Sequence, residues 1–98
     1  MFFKIHKSYR DIVAVCDSDL IGKVFEEKEF QLYVKESFYK DKEVSGQELK
    51  QLIEEMSRED AIFNFVGSES IQTALEIGII KKEGIKKIQD VPFAMVLM

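Results

Sequence analysis

The segment from Asn64 to Ser70 constrains the fold of this 98-residue chain more than any other. The apolar run of residues 61–66 ends at Gly67, Ser68 follows, and apolar residues then recur at helical spacing. This pattern predicts an interior strand over residues 61–66 that passes directly into a helix beginning at Ser68. Because backbone N–H groups at a helix start can hold an anion, the junction is also a predicted binding edge.

The remaining periodicities predict further strands and one more main helix. Residues 2–6 and 12–16 indicate a hairpin whose second strand is apolar throughout, so we expect that strand to be buried on both faces. Residues 30–34 alternate in polarity, as in a strand with one wetter face. Ser45 and Glu48 have the spacing of a capping box, and helical periodicity follows.

The end of the chain adds two predicted strands, and the whole pattern is typical of one fold class. Gly78 is placed to end the second helix in a left-handed cap. Residues 85–88 and 93–98 indicate strands. Because proline donates no hydrogen bond to a sheet, we expect Pro92 to lie at a strand start or on an edge. We expect an α+β fold that forms a single domain over residues 1–98. Its two layers are a mixed sheet of five or six short strands and two main helices on one face.

Composition restricts the cellular setting and the class of partner. The net charge of −4 argues against broad, salt-driven binding to nucleic acid, although it allows a local basic patch. A single cysteine permits no intrachain disulfide, and no apolar stretch has the length of a signal or membrane-spanning segment. We therefore expect a cytoplasmic protein with no membrane contact. High Lys, Glu and Ile contents with one proline favour a thermophilic source.

Several short motifs follow one another in a characteristic order: Ala14-Val15-Cys16-Asp17 with Leu20, Gly22, Lys23 and Phe25; Ser37-Phe38-Tyr39; Asn64 with Val66-Gly67 and Gly78-Ile79-Ile80; and Val91-Pro92. In order and spacing the chain resembles, over nearly its whole length, a family of small archaeal proteins catalogued as domain of unknown function 424. The resemblance implies an archaeal cytoplasmic protein without an established activity and a loose association with translation genes. Phe93 stands where the family motif Gly-Val-Pro-His-Ala has histidine, so the resemblance brings no histidine chemistry.

Two sets of residues are candidates for binding. The first would line a small-molecule or enzymatic site at the strand-to-helix junction and consists of Asn64, Gly67, Ser68, Asp17 and Lys23. For Asn64 the alternative is an internal hydrogen-bond network that holds the Gly67 loop. The second set would contact RNA phosphates and consists of Lys81, Lys82, Lys86 and Lys87.

Catalytic and metal chemistry have weak support in the sequence. In the predicted hairpin His6 faces Asp11 and Cys16 faces the chain start, which excludes a Cys–His dyad, and we expect Cys16 to be a buried core residue. Asp17 and Asp19 are more typical of a cap on a helical turn over residues 20–23 than of a metal site. We predict no catalytic residues, no metal and no cofactor.

These observations favour a non-enzymatic binding module that associates with RNA or the translation apparatus, with a ribosomal or other RNA-containing particle as its partner. The alternative is a small-molecule-binding protein or enzyme acting at the Gly67 junction. A further hypothesis is a homo-oligomer joined through the C-terminal strand, residues 93–98.

Overall fold

A computed structural model describes residues 1–56 and 60–97. It contains eight strands: β1 Phe2–His6, β2 Asp11–Cys16, β3 Val24–Glu27, β4 Phe30–Tyr33, β5 Lys42–Glu43, β6 Ala61–Val66, β7 Lys86–Ile88 and β8 Val91–Leu97. The α-helices are α1 Glu36–Tyr39, α2 Gly46–Met56 and α3 Ser68–Ile77, and two single-turn 3-10 helices span Ser18–Leu20 and Lys82–Gly84. No helix among the described residues is long and apolar enough to cross a membrane.

Six of the strands form one mixed sheet in the order β5-β1-β2-β6-β8-β7. The central strands β2 and β6 are parallel, and every other neighbouring pair in this sheet is antiparallel. A parallel pair requires a crossover connection, and this one contains a separate two-stranded sheet, β3-β4, followed by α1, β5 and α2. The predicted α+β fold with a mixed sheet and two main helices is confirmed.

The main core lies between one face of the sheet and the two longer helices. Alternate residues of the central strands project toward this face, among them Val13, Val15, Phe63 and Phe65, all at 0% exposure. They pack with buried residues of α2 and α3 such as Leu49, Ile53, Ile71 and Ala74. The helical periodicity seen in the sequence therefore places the apolar stripe of each helix against the sheet.

The opposite face of the sheet is covered only in part. Ala14, Cys16 and Val66 on this face form a second cluster with Val34, which directly follows β4, and with Tyr39 of α1. Residues 12–16 were predicted to be buried on both faces, and Val13 through Cys16 are buried as expected. Farther along the same face, Met95 and Leu97 of β8 are 66% and 63% exposed.

The first hairpin has the predicted strands but a register shifted by one residue. His6 pairs with Ile12 rather than Asp11, and Phe2 pairs with Cys16. With His6 opposite Ile12 the connection spans residues 7–11, one residue more than expected, and Asp11 pairs with Ala61 of β6 instead. Cys16 still lies at the chain start, four register positions from His6, or about 13 Å along a strand. The exclusion of a Cys–His dyad in this hairpin is confirmed.

Pro92 is the second residue of β8, which agrees with the expectation of a strand start or an edge, and within this strand Phe93 is paired on both sides. Phe93–Leu97 pair with β6, and Val91–Phe93 pair with β7. Only residues 94–97 extend beyond β7. Pairing with a second copy stays a prediction and would be confined to that stretch, while Met98 lies outside the described residues.

Candidate functional site

The strand-to-helix junction has the predicted bounds, because β6 ends at Val66 and α3 begins at Ser68. Gly67 between them has φ 107° and ψ 157°, a backbone conformation open essentially to glycine alone. Its N–H donates to the carbonyl oxygen of Pro92 at 2.8 Å, which ties the loop to β8. The glycine therefore sets the sharp change of direction from strand to helix.

The N-terminus of α3 is capped by a carboxylate from a distant part of the chain. Asp17 Oδ2 accepts the backbone N–H of Glu69 at 3.0 Å, and Oδ1 accepts both the N–H and the hydroxyl of Ser70 at 2.8 Å. The prediction that Asp17 caps the helical turn that follows it is wrong, since the turn at residues 18–20 has no side-chain cap. Asp17 follows β2, and the parallel β2–β6 pairing brings it to the start of α3.

This cap changes what the junction can bind. The N–H groups of Glu69 and Ser70 that an incoming anion would use are already paired with the chain's own carboxylate. A Cβ at Gly67 would lie 2.2 Å from Asp17 Cγ, so the carboxylate also fills the space beside the loop. Ser68 is exposed in the first turn of the helix. A ligand site here stays a prediction, and an anion would have to displace Asp17.

Asn64 lies away from the junction, in the middle of β6. It pairs with Ala14 on one side and Met95 on the other, and its side chain lies on the sheet face opposite α2 and α3. Within the described part of the chain its amide has no hydrogen-bond partner, whereas Asp17 holds the Gly67 loop. The network hypothesis for Asn64 therefore has no support in the structure.

Asn64 instead lines a cavity of about 380 Å³ on the partly covered face, which we call the Asn64 cavity. Its apolar wall includes Leu32, Val66, Phe93 and Met95. Leu32 belongs to β4, so the separate two-stranded sheet forms one side of the cavity and the main sheet forms its floor. A volume of this size lies at the lower end of the roughly 300–1,000 Å³ range of small-molecule sites.

Two further polar side chains line the Asn64 cavity, Tyr39 from α1 and Lys86 from β7. Tyr39 is only 6% exposed, yet its hydroxyl has no hydrogen-bond partner among residues 1–56 and 60–97 and is not sealed from solvent. Its place in the cavity wall accounts for that access. The sequence pattern favoured a core position for Tyr39 and did not assign it to a small-molecule site, although it belongs to the motif Ser37-Phe38-Tyr39.

Burial suppresses the ionisation of Tyr39 and of Cys16, which packs with it in the second cluster. Burial raises the pKa of the Tyr39 phenol to about 12, and the neighbouring Cys16 adds to the shift. Burial also raises the pKa of the Cys16 thiol to about 12, and the charge of Asp17 acts in the same direction. At neutral pH the phenol is therefore a hydrogen-bond donor, and the thiol is not the thiolate that nucleophilic chemistry requires.

Of the five lysines predicted to bind, Lys86 lines the cavity and the other four do not. Lys81, Lys82, Lys86 and Lys87 are all exposed, and none forms an ion pair with another described residue. Lys86 and Lys87 are consecutive in β7, so their side chains leave opposite faces of the sheet. Lys23 pairs through its backbone with Leu20 and Val34 and does not line the cavity.

His6 contacts Phe38 and does not belong to a metal-binding cluster of the described residues. The His6 ring stacks on Phe38 at 4.5 Å between centroids, and its Nε2 lies 2.8 Å from the Phe38 carbonyl oxygen. Within residues 1–56 and 60–97 no group of three or more His, Cys, Asp or Glu side chains could hold a metal ion. We therefore take the Asn64 cavity as the candidate binding site.

Comparison with known proteins agrees with this fold. The chain is similar to a crystal structure of an uncharacterized conserved protein from Methanopyrus kandleri, with a TM-score of 0.81 and 22% sequence identity. The match covers 98% of this chain and 89% of the other, and at this identity it establishes the fold alone. No curated protein matches. A family described as "Protein of unknown function (DUF424)" matches residues 6–98, so the chain belongs to that family.

Proposed function

We propose that this protein is a non-enzymatic binding module that holds a small organic ligand in the Asn64 cavity. The observation that carries the proposal is Tyr39, a side chain 94% removed from solvent whose hydroxyl has no partner among the described residues. Because the hydroxyl has solvent access through the cavity, its hydrogen bond can be accepted by a group from outside the chain. A ligand oxygen in the cavity would supply that acceptor.

The rest of the lining supports the same function. Asn64 adds a second polar side chain without a partner in the described chain, and apolar residues such as Phe93 and Met95 give a ligand surface to cover. Tyr39 and Lys86 in the lining both carry hydrogen-bond donors. An apolar cavity with a few convergent polar groups is the usual form of a small-molecule site.

A fragment screen followed by ligand-detected and protein-detected NMR tests this proposal. We expect ligands that shift the backbone amides of Asn64 and Met95, with affinity at least about fivefold weaker in Asn64→Ala and Tyr39→Phe. Tyr9→Phe is the matched control, since Tyr9 is fully exposed and lies outside the cavity lining. Ligands that bind Tyr39→Phe and Asn64→Ala as tightly as the parent protein would contradict the proposal.

RNA binding is the second candidate function, and it is favoured because the four lysines have no ion-pair partner among the described residues. If Lys81, Lys82, Lys86 and Lys87 each contact one phosphate of single-stranded RNA, the logarithm of affinity should fall with the logarithm of salt concentration with a slope of about −2.8. The partner would then be a ribosomal or other RNA-containing particle.

Fluorescence anisotropy with a mixed-sequence single-stranded RNA between 50 and 200 mM salt measures this slope. We expect the charge-reversed variant of the four lysines to lose binding. A control variant carries the same four changes at exposed lysines elsewhere: Lys28, Lys35, Lys42 and Lys50. Equal loss in both variants would assign the effect to net charge, and binding that survives in the first variant would exclude this lysine cluster as the RNA contact.

A further inference from the structure

We infer that the ligand of the Asn64 cavity is an organic anion with a flat apolar ring. This inference rests on the proposed binding function and narrows it to one ligand chemistry. It follows from the sign of the charge in the lining, the kind of hydrogen-bonding groups there and the aromatic residues of the wall.

The polar groups of the cavity are matched to an acceptor-rich, negatively charged group. Lys86 is the charged side chain among the described lining residues, and it has no ion-pair partner in the described chain. The Tyr39 phenol keeps its proton and donates, and the Asn64 amide offers two N–H donors. A carboxylate or phosphate can accept from all three, and hydrogen bonds with a charged partner are the strong ones.

The aromatic and apolar residues in the cavity wall favour a ligand with a flat ring. Tyr39 and Phe93 both line it, and Phe93 is only half-buried, so part of its ring is available for contact. Leu32 and Met95 complete an apolar surface contributed by both sheets. Aromatic side chains prefer to pack against other flat rings in stacked or edge-on arrangements. A ring packed on this wall would share the cavity with the three donors, which line the same space.

Mononucleotides and aromatic carboxylic acids share this chemistry, and isothermal titration separates them. The anionic probes are AMP and 4-hydroxybenzoate, each compared with its neutral counterpart, adenosine or 4-hydroxybenzamide, and inorganic phosphate serves as the head group alone. We expect at least one anion to bind about tenfold more tightly than its neutral counterpart, the worth of one hydrogen bond to a charged group. The probe that shows this preference identifies the source of the ligand.

Lys86→Gln should abolish the preference for the anion, bringing the two affinities to within about twofold. Lys87→Gln is the matched control, because Lys87 lies on the other face of the same strand, and it should keep the tenfold preference. Equal effects of the two variants, or neutral probes that bind as tightly as the anions, would overturn the inference.

The result also separates this inference from the proposal beneath it. If neutral ligands bind in the cavity and their binding depends on Tyr39, the proposed binding function is supported and only the inference of an anionic ligand is refuted. If the cavity binds none of the probes and no fragment, both the binding function and the anionic ligand are refuted.

Discussion

Replacing Asp17 with alanine tests whether α3 depends on a carboxylate supplied from the end of β2. The substitution removes the acceptor of three hydrogen bonds, those from the N–H of Glu69 and from the N–H and hydroxyl of Ser70. Ser70 is fully buried, so its two donors would lose their partner in a place that water reaches poorly. The cost should therefore include desolvated donors as well as lost bonds.

The magnitude follows from these contacts. A hydrogen bond to a charged group contributes roughly 1.5–3 kcal/mol, and loss of an N-cap alone costs about 0.5–2 kcal/mol. The three bonds share one carboxylate and do not add fully, so we expect a loss of about 3 kcal/mol for Asp17→Ala. For a domain of this size each kcal/mol corresponds to about 4–8 °C, so the midpoint of thermal unfolding should fall by at least about 12 °C.

Urea unfolding followed by circular dichroism at neutral pH measures the change. Asp19→Ala is the matched control, because Asp19 is exposed two residues away, and it should change the free energy of unfolding by no more than about 0.5 kcal/mol. Asp17→Asn keeps one acceptor oxygen and should lie between the two. If Asp17→Ala and Asp19→Ala agree within about 0.5 kcal/mol, the reasoning about the cap is refuted.

Three other predictions concern the loop, the core and the buried ionisable groups. Gly67→Ala should lower the free energy of unfolding in urea by several kcal/mol, because φ is 107° and the new Cβ would lie 2.2 Å from Asp17 Cγ. Gly78→Ala has open space around it and should cost only about 1–2 kcal/mol. A larger effect at Gly78 than at Gly67 would contradict this prediction. Phe63→Ala should cost about 3–5 kcal/mol, since the ring is completely buried, and a loss below 1 kcal/mol would argue against the core described here. Cys16 and Tyr39 have ordinary pKa values of 9.0 and 10.0 that burial raises to about 12, so the folded state keeps protons that the unfolded state loses. The free energy of unfolding should therefore decline from about pH 9 to pH 12, by up to about 1.4 kcal/mol per pH unit for each group, and Cys16→Ala should make the decline shallower; a free energy that rises over this range would exclude the shifts.

Elements whose signals are local could be predicted from the sequence. The capping box forms as expected, with Ser45 and Glu48 exchanging bonds between backbone N–H and side-chain oxygen at 3.1 Å in both directions. Gly78 adopts the left-handed cap that ends α3. The strand before Gly67 has its predicted bounds because an apolar run and a glycine both mark its end. In each case the determining residues lie within a few positions of one another.

Features that depend on distant contacts could not be predicted in the same way. β3 was missed because Val24, Glu26 and Glu27 are exposed, so the strand lacks the apolar alternation that marks a sheet face. Tyr39 lies in a helix of four residues, which is too short to show helical periodicity. Asp17 resembles a local cap in the sequence, and its actual partners are 52 and 53 residues away.

The parallel pairing of β2 and β6 links the cap to the place where a ligand can bind. Parallel strands end at the same edge of a sheet, and in open α/β sheets that edge is the usual position of ligands. Here the residue after β2 is Asp17 and the residue after β6 is Gly67, so the chain places its own anion at the helix N-terminus. The Asp17 carboxylate therefore both stabilises α3 and occupies the edge of the sheet where a ligand would otherwise bind. Because Asp17 already occupies that edge, we expect a ligand to bind on the sheet face instead. On that face β4 and α1 leave Asn64 uncovered and without a partner among the described residues.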